Sequence, residues 1–70
     1  MKKYAVVIEE SKTGYAAYAP DLPGLGVTGK TVVEVERLIR KGIEAHIEIL
    51  RERGEPIPRP TTRCRYVAAA

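Results

Sequence analysis

The sequence predicts an α+β fold of order βββαβ, in which one long helix lies on one face of a four-stranded mixed sheet. Two early stretches alternate apolar and polar residues with the period of a strand. A longer central stretch repeats its apolar residues with the period of a helix. Clusters of proline and glycine separate these stretches. A chain of 70 residues suffices for one domain, so the five elements are expected to share one core.

The first three strands are predicted to form an antiparallel meander. Residues 3–9 form the first strand, and residues 15–19 resume the alternation after a turn cluster at residues 11–14. A rigid connector, residues 20–24, leads to a short third strand over residues 25–28. The meander therefore supplies three of the four strands of the predicted sheet.

Within the second strand, the alternation divides the side chains between two faces of the sheet. Tyr15, Ala17 and Ala19 lie on one face, and Ala16 and Tyr18 lie on the other. We expect the face around Tyr15 to be exposed and available to a partner.

The helix is predicted to begin after Thr31, where Glu34 completes a capping box, and to end before Gly54. Its apolar positions cover an arc of about 200°, whereas packing on one sheet needs a stripe of about 100°. Apolar surface is left over, so we expect a homodimer or a higher homo-oligomer. The candidate interface residues are Ile43, His46, Ile47 and Leu50.

The residues after the helix are predicted to return to the sheet. Residues 56–60 contain three prolines and must be extended, and residues 62–67 have the composition of a last strand. A right-handed helical crossover places that strand parallel to the strand it joins. We therefore expect it beside the first strand, which gives the sheet order 3-2-1-4.

Residues 24–31 match the phosphate-binding pattern G-x-x-x-x-G-K-[ST] with the sequence GLGVTGKT. A working site of this kind follows a buried parallel strand and needs an acid on a second strand to hold Mg²⁺. Here prolines precede the match, and the only aspartate, Asp21, lies in the same connector. We interpret the match as coincidence: a turn, a short strand, the solvated Lys30 and the helix cap at Thr31.

The remaining reactive side chains do not form a recognisable catalytic or metal-binding pattern, so we expect no enzyme activity and no cofactor. His46 has no nucleophile or orienting acid at a suitable spacing and is interpreted as a core or interface histidine, which would make assembly pH-sensitive at an interface. Cys64, on the last predicted strand, is interpreted as buried and inert. Glu9 and Glu10 are interpreted as exposed charges at a strand end.

Composition narrows the function classes further. The net charge of +3 is mild and spread along the chain, unlike the concentrated basic patch of a nucleic-acid binder. No apolar run approaches the roughly 20 residues that span a membrane. The single cysteine suits a reducing compartment, so we expect a cytoplasmic protein. The lack of Asn and Gln, with abundant Arg and Glu, is typical of a thermophilic source.

Four segments together resemble the HicB-like antitoxin family: residues 15–24 (YAAYAPDLPG), 28–31 (TGKT), 33–34 (VE) and 54–58 (GEPIP). The resemblance covers about residues 3–60. It implies a degenerate RNase H-like fold without the catalytic acids, and binding to a small HicA-type toxin that cleaves mRNA. Many members carry a further C-terminal DNA-binding domain. We expect a single domain over residues 1–70 without one, and no DNA binding by this chain alone.

The leading hypothesis is a binding module that neutralises a HicA-like toxin by covering its RNA-binding or catalytic surface. The candidate partner-binding residues are Tyr15, Asp21, Leu22 and Pro23. The edges of the sheet are further candidates, because their free backbone groups accept partner strands.

Two alternatives remain open at this point. One is a small nucleic-acid-binding or regulatory protein that acts without a toxin and uses basic and aromatic side chains near the C-terminus, namely Arg59, Arg63, Arg65 and Tyr66. The other is a vestigial nuclease, which metal-dependent RNA cleavage would reveal.

Overall fold

Three antiparallel strands and one long helix make up the fold. The computed structural model describes residues 2–70. Its elements are β1 (Val7–Ser11), β2 (Gly14–Tyr18), β3 (Gly26–Gly29) and α1 (Val32–Glu52). The strands lie in the order β1-β2-β3, so each strand pairs with its neighbour in the chain. The α+β class, with one long helix and an antiparallel sheet, is confirmed.

The β1–β2 hairpin is closed by a two-residue turn, because Ser11 pairs with Gly14. At Gly14 the backbone approaches the carbonyl oxygen of Gly29 so closely that a β-carbon would overlap it. A side chain at position 14 would therefore force β2 and β3 apart, and glycine is required there.

Helix α1 is capped at both ends. The hydroxyl of Thr31 accepts a 3.1 Å hydrogen bond from the backbone N–H of Glu34, as the sequence predicts. The Glu34 carboxylate reaches one residue further back, to the N–H of Lys30 at 2.6 Å. At the other end Gly54 has φ of 69° and forms a left-handed cap, with Glu55 donating to the Leu50 carbonyl at 2.9 Å. No helix within residues 2–70 is long and apolar enough to cross a bilayer.

The core lies between the first half of α1 and one face of the sheet. Ala17, Val35 and Ile39 are buried together. Partly buried apolar side chains surround them, namely Val6, Ile8, Tyr15, Leu25, Val27 and Ile43. Every fully buried side chain of α1 belongs to its first half, and the second half is at most half-buried. The helix therefore extends beyond its support, which accords with the expectation of spare apolar surface.

The prediction of a fourth strand is wrong within the residues that the structure describes. Residues 62–67 form no strand, the sheet has three strands rather than four, and it is antiparallel rather than mixed. The physical reason is that the tail, residues 55–70, is held by Asp21 at Thr61 and Thr62, at the end of β2 and not beside β1. Cys64 is consequently exposed, not buried as expected from a strand position.

Candidate partner-binding surface

A single carboxylate fastens the tail to the body of the protein. Asp21 accepts backbone N–H bonds from Thr61 and Thr62, both at 3.0 Å, on its Oδ2 atom. Its Oδ1 atom accepts the hydroxyl of Thr61 at 3.0 Å and that of Thr62 at 2.8 Å. A carboxylate that receives several such bonds holds a segment more firmly than a neutral acceptor would. We call this arrangement the Asp21 clamp.

The clamp also sets the charge state of Asp21. The hydrogen bonds from Thr62, first from its backbone N–H and then from its hydroxyl, lower the pKa of the Asp21 carboxyl below its ordinary value of 3.8. Partial desolvation opposes this shift, and the two bonds from Thr61 add to it. Asp21 is therefore ionised at neutral pH, in the form that accepts all four bonds.

A second contact guides the tail before it reaches the clamp. The hydroxyl of Tyr4 donates a 2.6 Å hydrogen bond to the carbonyl oxygen of Pro58. Tyr4 lies three residues before β1, and Asp21 lies three residues after β2. Since Val7 pairs with Tyr18, both anchors lie at the same end of the sheet. The tail therefore passes across that end, from the side of β1 towards β2.

The connector brings together only some of the predicted partner-binding residues. Leu22 is fully buried, and its N–H donates to the Ala19 carbonyl at 3.0 Å in a tight turn. Tyr15 packs against the core, contrary to the expectation that its face is exposed. Asp21 is occupied by the tail, whereas Pro23 is exposed. These four side chains do not share one open surface.

The open face of the sheet is the one that carries Tyr18. Tyr18 is 42% exposed and lies in register with Val7 on one side and Gly26 on the other. The next row across this face contains the exposed side chains of Glu9 and Thr28. The alternation in β2 already separates Tyr18 from Tyr15, and the two buried alanines, Ala17 and Ala19, are the signal that identifies the open side.

A groove with an apolar floor lies on the opposite side, between β1 and α1, and charged side chains also line it, namely Lys2, Lys3, Glu36, Arg40, Glu44, Glu48 and Arg51. It encloses about 1040 Å³. Its apolar lining consists of Tyr4, Val6, Ile8, Ile39, Ile43 and Ile47. Of the four predicted interface residues, Ile43 and Ile47 line this groove, while His46 and Leu50 are half-buried elsewhere on the helix.

The phosphate-loop match has a different structure from a phosphate loop. Residues 26–29 form β3 and pair with β2, and Thr31 caps the helix, which confirms the interpretation as a turn, a strand and a cap. The carboxylate of Glu34 occupies the place where a phosphate would bind, next to the N–H of Lys30. An anion at this helix end would meet a negative charge. Within residues 2–70, no three acidic, histidine or cysteine side chains are grouped to hold a metal ion.

Comparisons with known proteins identify the family of this chain. The family model described as "HicB_like antitoxin of bacterial toxin-antitoxin system" matches residues 4–69. The UPF0150 protein Ta0767 of Thermoplasma acidophilum is 41% identical over 58 residues, which cover 81% of this chain and 84% of that protein. An uncharacterised 14.9 kDa protein of Haemophilus phage HP1 is 31% identical over 64 residues, covering 91% of this chain. The chain spans about half of the phage protein, 48% of its length. The chain belongs to the HicB-like antitoxin family.

Proposed function

We propose that this protein is the antitoxin of a toxin–antitoxin pair, and that it binds and inhibits a HicA-like toxin that cleaves mRNA. The observation that carries the proposal is the family match over residues 4–69, almost the whole chain. In this role the protein acts by binding, as a single domain over residues 1–70 and without catalysis. Because its target cleaves mRNA, we place its action in the cytoplasm.

The open face of the sheet is the surface that fits such a toxin best. A protein that cleaves RNA must bind a polyanion, so its substrate-binding surface is basic. The open face presents Tyr18 at its centre and the carboxylate of Glu9 in the neighbouring row. A partly exposed tyrosine among small side chains is typical of an interface anchor. Tyr18 would fill a depression in the toxin surface.

Binding to a purified HicA-like toxin, measured by calorimetry with and without substitutions, tests the proposal. Tyr18→Ala should weaken binding about thirtyfold or more, since interface anchors contribute about 2 kcal/mol or more. Val33→Ala is the control, because Val33 is 77% exposed in the first turn of α1 and lies outside the open face. RNA cleavage should be blocked by the wild-type chain and largely restored when Tyr18→Ala replaces it.

Two results would contradict this proposal. A wild-type chain that neither binds the toxin nor protects RNA would refute the antitoxin role. Equal losses for Tyr18→Ala and Val33→Ala would refute the open face as the binding surface while leaving the role intact.

A second candidate function is nucleic-acid binding by the tail. The observation that favours it is exposure, because Arg59, Arg63, Arg65 and Tyr66 are all open to solvent. Three cations and one stacking side chain would give weak, salt-dependent binding to single strands. A gel shift at low salt that is lost when the three arginines are replaced would support it. No shift at low salt would exclude it.

A further inference from the structure

The outer edge of β1 and the groove beside it form one uncovered surface. β1 is an edge strand, since the sheet order is β1-β2-β3, and the helix-facing side chains Val6 and Ile8 line the groove. β3 is the other edge, but it is only four residues long and begins and ends with glycine. A free strand edge next to an apolar groove is a template for strand addition.

The tail has the properties of the strand that this surface lacks. Residues 62–67 are extended in sequence character, and Cys64, Tyr66 and Val67 are exposed in the structure. In an extended strand Cys64 and Tyr66 would lie on one face, and Arg63 and Arg65 on the other. The tail therefore has one face with Cys64 and Tyr66 and another with the two arginines and Val67.

The Asp21 clamp prevents the tail from reaching the edge of β1 in its own chain. Thr61 and Thr62 are held at the end of β2, so a strand outside β1 would lie about two strand spacings away, roughly 10 Å. Covering that distance would consume about three residues at roughly 3.3 Å each, so residues 63–65 could not pair with β1 of their own chain. Residues 63–67 are instead exposed to solvent along their whole length.

We propose that residues 63–67 of a second copy of this chain add as a strand to the free edge of β1, and that the exchange is reciprocal in a homodimer. The tail has about the length of β1, five residues in each case. Cys64 and Tyr66 would cover Val6, Ile8 and the helix side of the groove. This inference concerns the chain alone and does not depend on the toxin.

Charge complementarity supports this occupant over another partner. With the Cys64 and Tyr66 face of the tail on the groove, Arg63 and Arg65 come to the side of the sheet where Glu9 lies exposed. Opposite charges on neighbouring strands stabilise a pairing. The same chain thus supplies both the acid on β1 and the cations on the added strand.

The oligomeric state of the intact chain tests the inference. Sedimentation equilibrium should show a monomer–dimer equilibrium for the wild type. A variant ending at Thr62 should be monomeric at the same concentrations with an unchanged circular dichroism spectrum, because the deleted residues touch little of the body. Reaction of Cys64 with a thiol reagent should slow as the wild-type concentration rises, since the thiol enters the groove on association.

Charge reversal adds a test that truncation does not provide. Arg63→Glu/Arg65→Glu should raise the dimer Kd about fivefold, and the further change Glu9→Lys should restore it. Arg53→Glu, at the exposed end of α1, is the matched control and should leave the Kd unchanged.

Three outcomes would overturn the inference. They are a monomeric wild-type chain at all concentrations, a dimer that survives removal of residues 63–70, and a Cys64 reactivity that is independent of concentration. If the wild-type chain forms no dimer and the truncated chain no longer binds the toxin, the tail is a contact site for the toxin and not for a second copy of the chain. A dimer that forms normally in a chain that binds no toxin would support this inference and refute only the proposed function.

Discussion

The hydroxyl of Thr62 lies 2.8 Å from Oδ1 of Asp21, although the two residues are 41 positions apart in the chain. This contact joins the connector after β2 to the segment that follows the helix. The only aspartate of the sequence thus has a structural role, and it determines where the tail leaves the body. Substitutions at this position should therefore affect the tail far more than the core.

Replacing Asp21 with Asn should release the tail and leave the fold in place. The amide offers one acceptor oxygen where the carboxylate has two, and its NH₂ group faces the threonine donors. Amide hydrogen exchange and ¹⁵N relaxation should show increased mobility from Thr61 onwards, with the core unchanged. Glu10→Gln, a neutralised exposed carboxylate on β1, is the control. Unchanged relaxation in the Asp21 variant would show that the clamp does not hold the tail.

Lowering the pH should release the tail, as the substitution Asp21→Asn does. Because the clamp lowers the pKa of Asp21 below 3.8, its contribution to stability is present above about pH 3.8 and is lost as the pH falls through the folded-state pKa. The amide resonances of Thr61 and Thr62 should shift together in that range in an NMR titration. In Thr61→Val/Thr62→Val the pKa of Asp21 should return towards 3.8. A normal pKa in the wild type would contradict the clamp.

Gly14→Ala should destabilise the protein by about 1–3 kcal/mol, because the added β-carbon would overlap the carbonyl oxygen of Gly29. Gly26→Ala is the matched control: its β-carbon would lie 3.6 Å from the Ala17 carbonyl oxygen, an ordinary contact. Urea denaturation of the two variants measures the difference. Equal stabilities would show that the hairpin can relax at Gly14 without cost.

Thr31→Ala should lower the free energy of unfolding by about 1 kcal/mol, since the N–H of Glu34 loses its acceptor. Val33→Ala, in the first turn of the same helix and 77% exposed, should leave stability unchanged or slightly raised, because alanine favours the helix. Thermal unfolding monitored by circular dichroism compares them. If both variants behave alike, the cap contributes nothing measurable.

The parts of the fold that local chemistry determines are the parts that the sequence predicts correctly. The hairpin turn follows from the cluster at residues 11–14, and both helix ends follow from Thr31 and Gly54. The fourth strand fails because its position depends on Asp21, which is remote in sequence and whose contacts no local pattern reveals. The strand-like composition of residues 62–67 can be recognised in the sequence. The sequence does not reveal which edge of the sheet such a strand would join, or whether that sheet belongs to the same chain or to a second copy.

The candidate partner-binding surface was likewise predicted only in part from the sequence. Alternation in β2 separates Tyr15 from Tyr18 correctly, but the choice of the exposed face requires knowing where the helix packs. The face of Tyr15, Ala17 and Ala19 was expected to be exposed, although small side chains such as these two alanines suit a closely packed helix, and the structure buries them. Leu22 was predicted at a binding surface, yet a leucine between a turn and a proline can equally fill the core, as it does here.

The coincidence of chain order and spatial order in the sheet has a consequence for folding during synthesis. Each strand pairs with the one made just before it, and α1 then packs back on β2 and β3. Contacts of this kind form early because they close short loops. The tail is synthesised after every residue of the core, so the body can fold while the tail is still emerging. Docking of Thr61 and Thr62 on Asp21 is then the final intramolecular step, and a newly made chain presents an unclamped tail first.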